Sequence, residues 1–227
     1  SNIGEKLTSN SGILQLMDDL GRPLPPGITP YRLGGGNPAR VPEVEQMYRR
    51  EMERIMAQPD LFECLISQYD SPQGRGQFIE AVAHFLSKSY GWNVTPENIA
   101  ITNGSQSAFF YLFNLFSGSF TDGETRTKKK ILLPLVPEYI GYADQGLEPD
   151  IFVSIPAKCQ YYADNTFKYF IDFERLEAYL LDNVDVGAMC VSRPTNPSGN
   201  VLTDSEIKRL ASLAAKYGIP LFVDNAY

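Results

Sequence analysis

From Ile99 to Val223 the chain alternates short apolar runs with helical stretches, and that pattern narrows the fold more than any other feature. The runs Ile99-Ala-Ile-Thr102, Ile131–Leu135, Ile151–Ile155, Ala188–Ser192 and Ile219–Val223 read as strands. Between them lie helical stretches over Ser105–Phe116, near Tyr139–Gly146, and from a cap at Asp172 through Phe173, Leu176 and Leu180. Thr203-Asp-Ser-Glu206 is a capping box, in which the first and fourth side chains each satisfy a backbone N–H of the other. It opens a helix with Ile207, Leu210, Ala211 and Ala214 at core spacing, and Gly218 stops it. Strands alternating with helices predict an α/β fold, a mostly parallel sheet flanked by helices.

Upstream the pattern changes. Residues 1–40 form a polar arm rich in Gly and Pro, with a short helical candidate around Ile13–Leu20, ending in Leu33-Gly-Gly-Gly-Asn-Pro38. A helix is expected over Pro42–Ala57, with Val44, Met47, Met52, Ile55 and Met56 able to share a face. A second is expected over Gly76–Tyr90, with Phe78, Val82, Phe85 and Leu86 inward and Gly91 as its stop. Ordinary helix packing accounts for the Met stripe and for His84. Thr121–Lys130 reads as an exposed charged loop.

Composition excludes several functions. Hydrophobic content of 43% and charged content of 21% are those of an ordinary globular protein. A formal charge of −7 argues against nucleic-acid and anionic-membrane partners. No run of about 18 apolar residues is present to span a bilayer, and Ser1–Glu5 does not open a signal peptide. Cys64, Cys159 and Cys190 form no C-x-x-C pair, which predicts reduced, mostly buried thiols and a cytoplasmic protein. With a single histidine, His84, neither a metal site nor a Cys–His pair is expected.

Four stations carry chemistry. Thr102-Asn-Gly104-Ser105-Gln106 runs from a strand through a Gly turn into a helix, whose free N–H groups and dipole suit an anion. Many such junctions bind nothing, and Asn-Gly is also a hairpin signal. Pro134-Leu-Val-Pro-Glu-Tyr139 puts an aromatic ring at the carboxyl end of a strand, where ligands of open α/β sheets collect. Asn196, in Arg193-Pro-Thr-Asn-Pro-Ser-Gly-Asn200, and Asp224, in Asp224-Asn-Ala-Tyr227, can end on that same edge. A carboxylate there can pair with a pyridinium nitrogen, while an amide and a phenol can donate to a ring oxygen. Taken singly, each of these motifs has a plain structural explanation.

In this order, the four stations resemble the fold-type-I, pyridoxal-phosphate-dependent aminotransferases across essentially the whole chain. The resemblance implies that Ser105 and Gln106 hold the cofactor phosphate and that Tyr139 stacks on its ring. It makes Asn196 and Tyr227 the partners of the ring hydroxyl oxygen and Asp224 the partner of the pyridine nitrogen. Tyr69, in Tyr-Asp-Ser-Pro-Gln-Gly74, matches a Tyr that reaches the phosphate of a neighbouring subunit, and Gly35 and Gly36 match a loop beside the substrate carboxylate. Residues 1–45 would be an arm with part of the small domain, and 46–227 the N-terminal part of the large cofactor domain. The family lysine that bonds the cofactor is expected beyond Tyr227. No catalytic residue is therefore assigned, and the 227-residue chain alone is expected to be an inactive, truncated large domain.

Leu33-Gly-Gly-Gly-Asn-Pro38, Thr102-Asn-Gly-Ser-Gln-Ser-Ala-Phe-Phe-Tyr-Leu-Phe-Asn-Leu-Phe116 and Pro137-Glu-Tyr-Ile-Gly-Tyr-Ala-Asp144 are similar to the branch of the family that exchanges valine with pyruvate. Ser198 stands where that pattern usually has Thr, which keeps the hydroxyl. The implied setting is a cytoplasmic homodimer in amino-acid biosynthesis, acting on amino-acid and 2-oxo-acid substrates. Another fold-type-I pyridoxal-phosphate enzyme, or a non-catalytic aminotransferase-like sensor domain, remains open.

Overall fold

The computed structural model describes residues 2–9, 11–29 and 39–227 of the chain. Its helices are α1 (Asn2–Leu7), α2 (Gly12–Gly21), α3 (Pro42–Ala57), α4 (Leu61–Ser67), α5 (Gly76–Tyr90), α6 (Ser105–Phe116), α7 (Phe173–Asp182) and α8 (Asp204–Tyr217). Its strands are β1 (Gly118–Asp122), β2 (Thr125–Val136), β3 (Phe152–Pro156), β4 (Lys158–Tyr161), β5 (Phe167–Phe170), β6 (Val186–Ser192) and β7 (Leu221–Asp224). The chain divides into two units, Ser1–Gly21 with Asn103–Tyr227, and Arg22–Thr102.

In the Arg22–Thr102 unit α3 and α5 have the expected bounds, but their buried faces differ from expectation. No residue of α3 is buried, and Val44, Met47, Met52 and Met56 are exposed. Along α5 the inward stripe is Ile79, Val82, Ala83 and Leu86, an i, i+3, i+4, i+7 set. Phe78, Phe85 and His84, expected to pack inward, are exposed. Ile99 is extended, but residues 99–102 join no ladder among the described residues, so the first expected strand is absent.

The other unit is built on a five-stranded sheet in which β2, β3, β6 and β7 run parallel. All seven residues of β6 are buried, as in a strand covered on both faces. Its side chains alternate. Met189 and Val191 pack with Leu176 and Leu180 of α7 and with Leu210, Leu213 and Ala214 of α8. Ala188 and Cys190 pack with Phe109 and Phe113 of α6. The sheet is thus sandwiched between α7 with α8 on one side and α6 on the other. At Gly187 a Cβ would lie 1.7 Å from the Phe116 carbonyl oxygen, so the close passage of α6 admits only glycine there.

Three local features depart from the sequence reading. Thr121–Lys130 is not a loop: β1 and the start of β2 form an antiparallel hairpin, with Asp122 opposite Thr125 and Gly123 (φ +58°) in the turn. The run of charges obscures a strand whose Phe120 opposes Thr127 and lies under the Lys129 ammonium. The segment Tyr139–Gly146 holds a short 3-10 turn, Ile140–Asp144. Of the three free thiols only Cys190 is buried, and Cys159 is exposed on the β4–β5 hairpin.

Caps behave as expected. Asp172 Oδ1 accepts the Arg175 N–H at 3.2 Å. Thr203 Oγ1 accepts the Glu206 N–H at 3.2 Å while Glu206 Oε2 accepts the Thr203 N–H at 2.8 Å.

Candidate functional site

Parallel strands that end together leave a crevice at their carboxyl edge. Here β2 ends before Pro137-Glu138-Tyr139, and Ser192 pairs with Asp224 at the ends of β6 and β7. A cavity of about 210 Å³ opens there, lined by Ser105, Gln106, Tyr139, Asn196, Asp224 and Tyr227, with Ser192, Pro194 and Ala226. Six residues singled out from sequence therefore meet in one place. They come from stations separated by up to 122 residues (Ser105 to Tyr227), which only the sheet topology brings together.

Each wall has a local cause. Gly104, at φ +84°, turns the chain into α6, a conformation that L side chains rarely adopt. The first-turn N–H groups have no intrahelical carbonyl to bond, and Ser105 and Gln106 of that turn line the cavity. Gln106 Nε2 donates to the Gly141 carbonyl at 3.3 Å, tying the helix start to the 3-10 turn. The Tyr139 ring lies on Gly141, where a Cβ would come within 2.4 Å of it. It also meets Tyr142 edge to face, with centroids 5.4 Å apart.

The Asn196 loop is a closed turn: Thr195 N–H donates to the Asn200 carbonyl at 2.8 Å and Gly199 N–H to the Thr195 carbonyl at 2.7 Å. Asn196 Nδ2 donates to the Tyr227 hydroxyl oxygen at 3.1 Å. That leaves the phenolic proton of Tyr227 available to a ligand.

Beneath the cavity lies a polar cluster that the sequence reading passed over. Tyr142 donates to Asp224 Oδ2 at 2.7 Å, and the Ala226 N–H donates to Oδ1 at 3.1 Å. Glu138 accepts the Ser192 N–H on Oε2 and the Tyr139 N–H on Oε1, both at 2.9 Å, and Ser192 Oγ also donates to Oε1. Burial raises the Glu138 carboxyl above the usual carboxylate range against those three donors, with the Asp224 charge adding to the rise. Burial likewise pushes the Cys190 thiol up, with the Glu138 charge next in weight. The available signals were spacing signals: Tyr142 falls one helical turn after Tyr139, and Glu138 directly precedes it.

Two other expectations fall elsewhere. Tyr69 belongs to the Arg22–Thr102 unit and is fully exposed. Gly35 and Gly36 lie outside the described residues.

Two first-turn amides, a stackable ring, a carboxylate and an amide–phenol pair suit a flat heteroaromatic ring bearing an anionic group and a ring oxygen. The cavity suits one substituted ring rather than a dinucleotide. Among the described residues no group of His, Cys, Asp and Glu could hold a metal, and no helix is long and apolar enough to cross a membrane.

Comparison with known proteins agrees with this donor set. The model of the family described as aminotransferase class I and II matches residues 55–227. Valine–pyruvate aminotransferase of Escherichia coli (strain K12) is 47% identical over 228 aligned positions, covering 100% of this chain and 52% of that protein. A solved protein of Psychrobacter arcticum 273-4, provisionally described as an amino-acid aminotransferase, superposes with a TM-score of 0.89 at 45% identity, covering 100% of this chain and 54% of that one. Valine–pyruvate aminotransferase of Salmonella typhimurium LT2 superposes at 0.76 with 44% identity, covering 95% of this chain and 50% of that one. The chain thus spans about half the length of the relatives it matches.

Proposed function

Since the chain belongs to the class I and II aminotransferases, we propose that it supplies the cofactor-gripping part of an enzyme that transfers the amino group of valine to pyruvate, giving 2-oxoisovalerate and alanine. The observation that carries the cofactor reading is the convergence of Ser105, Gln106, Tyr139, Asn196, Asp224 and Tyr227 on one cavity. The choice of valine and pyruvate rests on the 47% identity along the whole chain to the Escherichia coli enzyme.

Pyridoxal 5'-phosphate, when bound, supplies a protonated ring that draws electrons from the Cα of an attached amino acid. The residues of this chain bind and orient. The α6 first turn holds the phosphate through the Ser105 and Gln106 N–H groups, aided by the positive end of the helix dipole. Tyr139 covers one ring face. Asp224 keeps the ring nitrogen protonated, since each charge favours the ionised form of the other. Asn196 and Tyr227 donate to the ring oxygen, and their mutual hydrogen bond at 3.1 Å holds the pair ready.

The same reading assigns Tyr69 to the phosphate of a partner subunit in a homodimer, and Gly35 and Gly36 to the substrate carboxylate. It treats residues 1–45 as arm and small-domain part and 46–227 as the start of the large domain, in a cytoplasmic enzyme of amino-acid biosynthesis. The full-length protein tests it. Its cofactor absorbance band should change on adding valine and return on adding pyruvate, with alanine formed in step. A purified protein that takes up no chromophore from added pyridoxal phosphate would sink the proposal.

A further inference from the structure

Asp224 is held on both carboxylate oxygens, by the Tyr142 hydroxyl on Oδ2 and the Ala226 N–H on Oδ1. Tyr142 is 2% exposed, and its ring is wedged among Phe109, Phe113 and Tyr139, with centroids 5.0, 5.3 and 5.4 Å away. Three ring contacts fix the direction of the phenol, which brings its hydroxyl to Asp224 Oδ2, with the Cys190 thiol as its other neighbour. We propose that Tyr142 is a positioning residue that locks the Asp224 carboxylate in the orientation needed to pair with a pyridinium nitrogen, an inference that rests on the pyridoxal-phosphate reading above.

The surroundings say why a lock is needed. The Asp224 charge acts on Glu138, Cys190 and Tyr142, and none of them is a cation. Among the described residues no Lys or Arg lines the cavity. The carboxylate is held in place by hydrogen bonds instead, from the Tyr142 hydroxyl on Oδ2 and the Ala226 amide on Oδ1. Tyr142 can only donate: burial, then Cys190, then Asp224 itself raise its phenol far above the usual tyrosine value. A donor that keeps its proton fixes which oxygen is engaged. The other oxygen accepts the Ala226 backbone amide, and Asp224 lines the cavity.

The test uses two ligands, pyridoxal phosphate and its 1-deaza analogue, in which a ring carbon replaces the nitrogen. Dissociation constants are measured by fluorescence titration of the full-length protein and of Tyr142→Phe, with the melting temperature of the ligand-free forms as a folding control. Tyr142→Phe should weaken pyridoxal phosphate about tenfold, the effect of losing a hydrogen bond to a charged group. It should weaken the deaza analogue less than about twofold, since that ligand has no ring nitrogen to pair with Asp224. In an Asp224→Asn background, Tyr142→Phe should add nothing. Where Tyr142→Phe fails to fold, 3-fluorotyrosine at position 142 keeps the ring and strengthens the donor. It should tighten pyridoxal phosphate and leave the deaza analogue unchanged.

Equal losses for both ligands mean that Tyr142 only shapes the cavity, and they overturn the proposal; so does no loss for either. An unmodified protein that binds neither ligand overturns the cofactor reading instead, so the two failures are told apart.

Discussion

Glu138 gathers three donors from two elements: the Tyr139 N–H of its own turn, and the N–H and hydroxyl of Ser192 at the end of β6. It therefore ties the stacking ring to the strand end that borders the cavity. An amide cannot serve all three. In Glu138→Gln one oxygen becomes an NH2, which faces either the Ser192 or the Tyr139 N–H and leaves that donor unpaired. The expected cost is about 1–3 kcal/mol of unfolding free energy, measured by urea denaturation of the full-length protein. The pH dependence has a definite sign. Burial sets the folded pKa of Glu138 above its unfolded value, so the folded state holds the proton more firmly. The stability linked to that proton is present at low pH and is lost as pH rises from about 4.3, the ordinary glutamate value, through the raised folded one. Stability of the parent relative to Glu138→Gln should fall across that window; a flat difference would contradict it. Why the residue went unnoticed in the sequence is physical. Nothing in Pro-Glu-Tyr tells a buried carboxylate from a solvated one, because burial depends on β6, 54 residues further on. Tyr139, Asn196 and Asp224 were legible because turn and strand-end chemistry is local.

Among the elements, α8 shows how a local signal can carry more than local weight. Its capping box was readable from Thr203 and Glu206 alone, and its stop from Gly218. The structure adds that Glu206 is buried. Its Oε1 accepts the Ile171 N–H at 3.3 Å at the entry to α7, and Lys168 Nζ lies 3.7 Å from Oε2. Arg193, at the end of β6, donates to the Leu202 carbonyl at 2.8 Å and to Asp204 at 2.6 Å, so the helix start is bound to the strand that leads into the Asn196 turn. Thr203→Ala should cost about 1 kcal/mol, the usual loss of an N-cap. Glu206→Ala should cost more, about 2–4 kcal/mol, because it also leaves a buried N–H without its acceptor and a half-buried ammonium without its counter-ion. Thermal unfolding of the two variants gives the ranking, and equal costs would reduce Glu206 to a cap. The hairpin β1–β2 is the opposite case. Its polar-rich residues carry little hydrophobic signal, and its pairing is set by a turn at Gly123 that charge patterning conceals. The α5 face was misjudged for a related reason: size was read as burial, whereas Ile79 and Ala83 are buried and Phe78 and Phe85 are not.

At the scale of the whole molecule, two hollows among the described residues bear comparison as ligand sites. The cavity at the strand ends is the smaller, about 210 Å³; a wider groove of about 560 Å³ runs between the β4–β5 hairpin and the Ser198–Val201 turn. Size favours the groove, chemistry the cavity. The groove offers Lys168, but that ammonium already donates to the Val201 carbonyl at 2.7 Å and lies 4.7 Å from the centre of the Phe170 ring. The cavity instead presents a helix start and a carboxylate at the edge where parallel strands end together. A ligand that binds only the folded state protects the amides whose exchange requires the site to open, and it leaves peripheral fraying unchanged. Hydrogen exchange of the full-length protein with and without pyridoxal phosphate should therefore slow at residues 105–108, 192–196 and 224–227. The Lys158–Phe170 hairpin and the Gly118–Lys130 hairpin should be unaffected. At a concentration of about 100 times the dissociation constant the gain is about 2.7 kcal/mol, or about a hundredfold slowing at amides that exchange only through opening of the site. Slowing centred on Asn165–Tyr169 and Ser198–Val201 would move the ligand to the groove, and the six converging residues would then be only the end of a sheet.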